Sequence, residues 1–414
     1  MFREGNNNNK NTVLEEKEEK EEKEEEEEIF DSSYEIKEWD EIEMDNNILR
    51  GIYAHGFEKP SPIQQKAIKP ILLKKDVIAQ AQSGTGKTAA FTIGALSVID
   101  LNNVNTQVLM LSPTRELAIQ TSNVVTSIGS MMNNLIVQAH YGGSPIEEGN
   151  EFSKKMNPHI ICGCPGRVFD MLRRNKITNK SIKLIILDEA DEMLSSGFKE
   201  QVYNIFQYLN SDVQVVLFSA TLPTQIFPII KKIMRNPIKI IVKAEQLTLE
   251  GIAQYYVAVE DDRQKYITLK DIFSYLTLSQ CIIYCNSVKR VADLYEAMCE
   301  DGFPVCCIHS NMEKNMRDKA FDEFRNGKSR VLISSNVTAR GIDIQQVSTV
   351  INFDIPKDIY TYLHRIGRSG RWGRKGTGIN FVTRRDIGKL KEIEGYYDCE
   401  IKEMPGNLEV ILKT

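Results

Sequence analysis

The feature that most narrows the possible folds is an alternation that runs along the chain twice. Short apolar runs at Asp76–Ala79, Val108–Leu111, Ile160–Cys162, Leu184–Leu187, Val215–Phe218 and Ile238–Val242 are separated by stretches of helical periodicity, Thr88–Ile99 and Glu116–Ile128 among them. Runs of this kind read as strands covered on both faces, and strand–helix alternation builds βαβ units with parallel strands. A second series follows at Gln280–Tyr284, Val305–Ile308, Val331–Ser334, Val350–Phe353 and Gly378–Val382. The expectation is two α/β domains in tandem, spanning 33–243 and 253–414, joined by a linker at 244–252. Each is long enough to bury its own core. Ligands of such folds sit at the carboxyl ends of the strands.

Residues 1–32 stand apart. An Asn run (Asn6 to Asn9) precedes a Glu/Lys block (Glu15 to Glu28), with no apolar stripe to hold a fold. A disordered acidic tail is expected there. Residues 1–30 hold twelve Glu against five Lys and Arg, or −7, so the remainder of a chain of net −5 carries +2. Any nucleic-acid surface must then be local rather than a general basic field. No apolar run approaches a membrane span and the N-terminus lacks a secretory apolar core, so an intracellular protein without a membrane is expected. The eight cysteines (162, 164, 281, 285, 299, 306, 307, 399) show no zinc spacing and sit mostly in apolar runs, as reduced core thiols do.

Ala81-Gln82-Ser83-Gly84-Thr85-Gly86-Lys87-Thr88 falls between a strand and a helix and nearly matches the phosphate-loop pattern, with Ala81 in place of its first glycine. Gly84 and Gly86 let backbone N–H groups face phosphates at a helix N-terminus. Lys87 can reach the β- and γ-phosphates, and the Thr88 hydroxyl can ligate Mg²⁺. The strand Leu184–Leu187 delivers Asp188 and Glu189 to the same sheet edge, one to hold Mg²⁺ and one to orient or deprotonate water. ATP hydrolysis follows from the two motifs together.

Asp188-Glu189-Ala190-Asp191 is also the signature tetrad of the DEAD-box RNA helicases, and the chain resembles that family over residues 39–414. The resemblance implies two RecA-like domains, each a parallel sheet with helices on both faces. It implies ATP and Mg²⁺ as cofactors and RNA as partner. Gly56–Gln64 is similar to the family's adenine motif, with Phe57 stacking on the base and Gln64 bonding its edge. Pro113-Thr114-Arg115, Gly142-Gly143, Pro165-Gly166-Arg167, Arg317 and Arg340 look like RNA-backbone contacts. Ser219-Ala220-Thr221 resembles the coupling motif, in which Asp191, Ser219, Thr221, His364 and Arg365 are implied. Asp343 would meet the ribose, and Arg368 and Arg371 would act as arginine fingers on the γ-phosphate.

Several segments, among them Gly51–Pro60 and Leu247–Ile252, are similar to the translation initiation factor 4A group with its exon-junction relative. That group implies a monomer working with a protein scaffold of the initiation-factor or exon-junction type, cytoplasmic or, alternatively, nuclear. Translation initiation and an ATP-gated RNA clamp of the exon-junction, splicing or rRNA-processing branch both remain open, as does action on DNA or protein. Four positions depart from the family pattern. Cys164 replaces a phosphate-binding Thr, an expected loss of about 1 kcal/mol in RNA binding. Asn336 replaces an Asp, Lys314 a Gln, and Trp39 an upstream Phe.

Overall fold

A computed structural model describes residues 31–82, 84–142, 157–195, 197–240, 252–275, 280–336, 347–369 and 376–405. The first sheet contains β1 (Val77–Gln80), β2 (Val108–Leu111), β3 (Val137–His140), β4 (Ile160–Gly163), β5 (Leu184–Asp188), β6 (Gln214–Ser219) and β7 (Ile238–Ile240). The second contains β8 (Ile252–Ala258), β9 (Cys281–Tyr284), β10 (Val305–Ile308), β11 (Val331–Ser334), β12 (Thr349–Asn352), β13 (Gly376–Val382) and β14 (Lys402–Glu403). Their orders are β3-β4-β2-β5-β6-β1-β7 and β10-β11-β9-β12-β13-β8-β14, with the pairings parallel throughout. The chain is thus two tandem RecA-like domains, as the alternation implied.

Helices cover both faces. In the first domain they are α1 (Asn46–Ala54), α2 (Pro62–Leu72), α3 (Lys87–Ser97), α4 (Arg115–Ile128), α5 (Pro165–Arg173), α6 (Ala190–Ser195), α7 (Lys199–Phe206) and α8 (Phe227–Ile233). In the second they are α9 (Asp262–Tyr275), α10 (Val288–Glu300), α11 (Lys314–Arg325), α12 (Ile359–Ile366) and α13 (Ile387–Tyr397). Successive strand residues feed opposite cores: Val108 and Met110 pack on one side of the first sheet, Leu109 and Leu111 on the other. Both sets are buried, which is why these strands read as continuous apolar runs.

The carboxyl ends of β1, β2, β4, β5 and β6 open on one edge, where every first-domain motif lies. The opposite end is fastened by Asp76. Its buried carboxylate accepts the Val215 N–H at 2.8 Å and the Arg235 N–H at 2.7 Å, tying the start of β1 to β6 and to the turn before β7. Charge-assisted bonds of this kind are among the stronger ones.

Strands β3, β8 and β14 were not expected. β3 and β8 mix Gln, His and Tyr with apolar residues and are half-buried, and β14 is two exposed residues. Ile252, assigned to the linker from sequence, opens β8, where it pairs with Gly376. The remainder of that linker, 244–251, lies outside the described residues, as do 1–30 of the acidic tail. Asp31 of that expected tail caps a short 3-10 turn at Ser32–Tyr34. The eight cysteines are free thiols, four of them buried, and no helix among the described residues is long and apolar enough to cross a membrane. Among the described residues no His, Cys, Asp or Glu cluster forms a metal site of three or more such ligands.

Asp76→Ala should leave the buried Val215 N–H and the partly buried Arg235 N–H unpaired and cost about 1–3 kcal/mol of first-domain stability. A urea titration reads this directly, and an unchanged midpoint would show that Asp76 is not the fastening.

Candidate functional site: a nucleotide cleft between two domains

The loop after β1 turns into α3 through Gly86, at φ +98°, with Gly84 at φ +81°. A Cβ on Gly86 would stand 2.6 Å from Gln64 Nε2 and 2.8 Å from Ser61 Oγ, so this turn admits only glycine. Those neighbours hold the loop in place. Ser61 Oγ donates to Thr85 O at 2.7 Å, Gln64 Nε2 donates to Gly86 O at 3.2 Å, and Gln64 Oε1 accepts the Ser61 N–H at 2.8 Å. Within the loop, Thr85 Oγ1 donates to Gln82 O at 2.8 Å, while Ala81 is buried against the core. Gln64, expected at the adenine edge, is 2% exposed and braces the phosphate loop through Nε2, while its Oε1 is taken by Ser61. Phe57 is half-buried beside the His55 ring at 4.8 Å, and the Trp39 indole N–H donates to its carbonyl at 3.2 Å.

Lys87 is the first residue of α3 and is buried. Burial pushes its pKa down, against the pull of Asp188, Glu189 and Asp191, while Arg368 adds to the fall. For Asp188, at the end of β5, burial raises the pKa and Lys87 opposes it. These opposed effects identify a cation set among carboxylates in a water-poor cleft. Glu189 follows with φ +54°, a left-handed conformation costly for a side chain of its size, and its N–H donates to Asp188 Oδ1 at 3.1 Å. Thr88 is half-buried in the first turn of α3. A phosphate chain fits this cradle, since glycine alone suits the turn and the α3 N-terminus faces it. A divalent cation fits the Asp188 carboxylate and the Thr88 hydroxyl, the hard oxygen donors Mg²⁺ prefers.

The second domain meets this edge at one carboxylate oxygen. Asp191 Oδ2 accepts from Thr221 Oγ1 at 2.5 Å and pairs with His364 Nε2 at 2.8 Å, with both members of the pair almost fully buried. Ser219 Oγ accepts the Asp191 N–H at 3.3 Å. Ala220, between those two hydroxyl residues, packs into the second domain's core. His364 and Arg365 are in the last turn of α12, and Arg368 follows it, Nε donating to His364 O at 3.3 Å. Arg365 turns away from the cleft into its own domain. Ser83, Gly143, Arg340, Asp343 and Arg371 lie outside the described residues.

The described first-domain residues expected on RNA line the same edge further along. Pro113 is buried after β2, and Thr114 caps α4, its Oγ1 accepting the Leu117 N–H at 3.3 Å. Arg115 lies 4.8 Å over the Tyr141 ring and 3.2 Å from Asp318 on α11, a contact across the domains. Gly142 and Gly166 are exposed, and a Cβ at either would meet nothing within 4 Å. Pro165 opens α5, with Cys164 as its cap making no side-chain capping bond. Burial pushes the Cys164 thiol up to about 12, helped by Glu116. Burial and then Arg167 bring His140, beside Gln138, down to about 4. Arg317 donates to Ser310 O and Met312 O, each at 3.4 Å.

Sequence reasoning missed Ser61, Tyr141 and Asp318. Ser61 carried a legible signal, since Ser61 and Gln64 have the spacing of a capping box at the start of α2. Tyr141 and Asp318 meet Arg115 only through the fold.

Comparison with known proteins agrees with this geometry. Residues 61–227 match the DEAD/DEAH box helicase family and residues 264–373 the helicase conserved C-terminal domain. The ATP-dependent RNA helicase eIF4A of Lodderomyces elongisporus is 49% identical over 92% of this chain and 96% of its own. The ATP-dependent RNA helicase fal1 of Schizosaccharomyces pombe is 50% identical over 90% of this chain; the alignment covers 94% of that protein. The solved structure of S. cerevisiae Dbp5 bound to RNA and ADP BeF3 superposes with a TM-score of 0.84 at 36% identity, covering 91% of this chain and 98% of that one. With its tetrad at the end of β5, its phosphate loop after β1 and these relatives over nearly its whole length, the chain belongs to the DEAD-box family of ATP-dependent RNA helicases.

Proposed function

We propose that the protein couples ATP hydrolysis to local opening of RNA duplexes, and that it does so only when its two domains close on both ligands. The observation that carries this reading is the Asp191–His364 pair, because it joins the carboxylate tetrad to the helix end that presents Arg368.

In this reading the phosphates of ATP lie on the Ala81–Thr88 loop, with Ser83 among its residues, and Lys87 binds the β- and γ-phosphates. The adenine stacks on Phe57, and Gln64 has a second amide N–H to offer the base, which selects ATP over GTP. Asp343 meets the ribose. A Mg²⁺ held by Thr88 and Asp188 would neutralise charge building on the phosphates. Glu189 orients the attacking water and accepts its proton. Arg368 and Arg371 stabilise charge on the transferring phosphoryl group from the other domain, so catalysis waits for closure.

RNA runs along the neighbouring edge. Thr114, Gly142, Gly143 and the start of α5 at Pro165, Gly166 and Arg167 meet its backbone from the first domain, Arg317 and Arg340 from the second. Contacts of this kind position a strand without reading its bases. Arg115 serves there too, shared with Asp318. The first domain spans 33–243 and the second 252–414, starting where β8 begins, with 244–251 as linker. The relatives named eIF4A support a role in translation initiation, hence the cytoplasm, a monomer and a scaffold protein as partner.

Steady-state ATP hydrolysis with and without RNA tests the reading. RNA should stimulate turnover, and Glu189→Gln should lower it by about 10²–10⁴-fold while ATP and RNA still bind. RNA-independent turnover that survives Glu189→Gln would overturn the mechanism. Arg368→Ala should lower turnover by about 10³-fold with the apparent KM for ATP little changed, the mark of an interaction made in the transition state. A rise in KM at constant kcat would make Arg368 a ground-state binder instead.

A further inference from the structure

Arg365 is a guanidinium with no exposed surface, and its five N–H groups all find acceptors. Nε donates to Asn336 Oδ1 at 3.0 Å. Nη2 donates to Asn336 Oδ1 at 2.6 Å and to Asn286 Oδ1 at 2.8 Å. Nη1 donates to Asn352 Oδ1 at 3.1 Å and to the Asp354 backbone oxygen at 2.8 Å. The Tyr284 ring lies beneath it, 5.2 Å from the guanidinium carbon. The acceptors sit at or just after the ends of β11, β9 and β12, three adjacent strands of the second sheet. Arg365 is therefore a peg driven into the carboxyl edge of that sheet.

None of the four acceptor oxygens belongs to a carboxylate. The Asp354 side chain is occupied elsewhere, with Oδ1 2.8 Å from Arg290 and Oδ2 accepting the Asn286 N–H at 2.9 Å. Asn286 Nδ2 donates to Ile355 O at 2.7 Å, which turns its Oδ1 toward Arg365. A charged donor keeps each bond strong, while bidentate geometry fixes the plane of the guanidinium.

The consequence lies one residue away. His364 lies in the last turn of α12 and Arg368 two residues beyond its end, held by its Nε–H to His364 O at 3.3 Å, while Arg365 points about 100° round the helix from His364. His364 reaches Asp191 of the first domain, and Arg368 acts on the cleft that holds Lys87 and Asp188. Fixing the plane of Arg365 fixes the rotation of α12, and the rotation decides where the other two side chains land.

We propose that Asn286 and Asn336 are positioning residues for ATP hydrolysis: their side-chain oxygens clamp Arg365 and so aim His364 and Arg368 at the nucleotide cleft. The inference rests on the reading of that cleft as an RNA-stimulated ATPase. Asn336 is the informative site, because it is an exposed residue whose replacement leaves the core intact.

The test compares Asn336→Ala, Asn336→Asp and Asn286→Ala with the wild type in RNA-stimulated ATP turnover, KM for ATP and thermal midpoint. Loss of a bond to a charged group should lower kcat about tenfold in Asn336→Ala and in Asn286→Ala, with KM for ATP within about twofold. Asn336→Asp, which restores an acceptor oxygen, should stay within about threefold of wild type. Wild-type turnover in Asn336→Ala overturns the proposal, and so does an equal loss in Asn336→Asp. A fall in thermal midpoint with kcat unchanged would make the socket structural only and also overturns it. Should Asn286→Ala fail to fold, the two Asn336 variants decide the matter. A wild type whose turnover ignores RNA refutes the underlying reading and takes this one with it; a stimulated wild type beside an unaffected Asn336→Ala refutes this one alone.

Discussion

One carboxylate oxygen organises the molecule. Asp191 Oδ2 receives the Thr221 hydroxyl from its own domain and pairs with His364 from the other, in a place where neither partner of the pair meets appreciable water. A buried polar group left without partners is expensive. The contact therefore favours the arrangement in which the two domains face each other, and disfavours a half-formed one. Because Ser219 and Thr221 flank Ala220, which sits in the second domain's core, the end of β6 is part of the same junction. In the proposed function, nucleotide chemistry at the end of β5 and RNA contacts after β2 and β4 share this one mechanical element.

The charges explain why one domain is not enough. Lys87 is buried among Asp188, Glu189 and Asp191, one cation facing three carboxylates, so the first domain has no positive charge to spare there. A triphosphate adds negative charge that this balance does not cover. Arg368 brings the additional cation, and it comes from beyond the junction. Electrostatic stabilisation of a transferring phosphoryl group depends on cations placed in advance. Under the proposed mechanism, placing one of them on a second body makes closure a condition of the reaction. The left-handed backbone at Glu189 belongs to the same design, since it re-aims a carboxylate at the strand end at a cost of about 1–3 kcal/mol.

Much of this was legible in the sequence, for identifiable reasons. Strands β1, β2, β4, β5 and β6 are buried on both faces and declare themselves as apolar runs. The phosphate loop is legible because its glycines answer a geometric demand, visible as positive φ at Gly84 and Gly86. Edge strands β3 and β14, and the half-buried β8, mix polar with apolar residues and give no such run. Pairwise partners were the hardest to foresee. Asp318 lies far along the chain from Arg115, and the amides around Arg365 come from three separate strand ends, so no spacing announces either. Gln64 shows the intermediate case: its motif was evident, yet its observed hydrogen bonds run to Ser61 and to the phosphate loop rather than outward.

The central claim is that Asp191 and His364 act as one unit that links hydrolysis to domain closure. A double-mutant cycle on RNA-stimulated kcat, built from Asp191→Asn, His364→Ala and their combination, tests it most directly. The account predicts strong coupling: the double variant should turn over about as fast as the slower single one. Losses that simply multiply would show the two residues acting independently and would contradict the account.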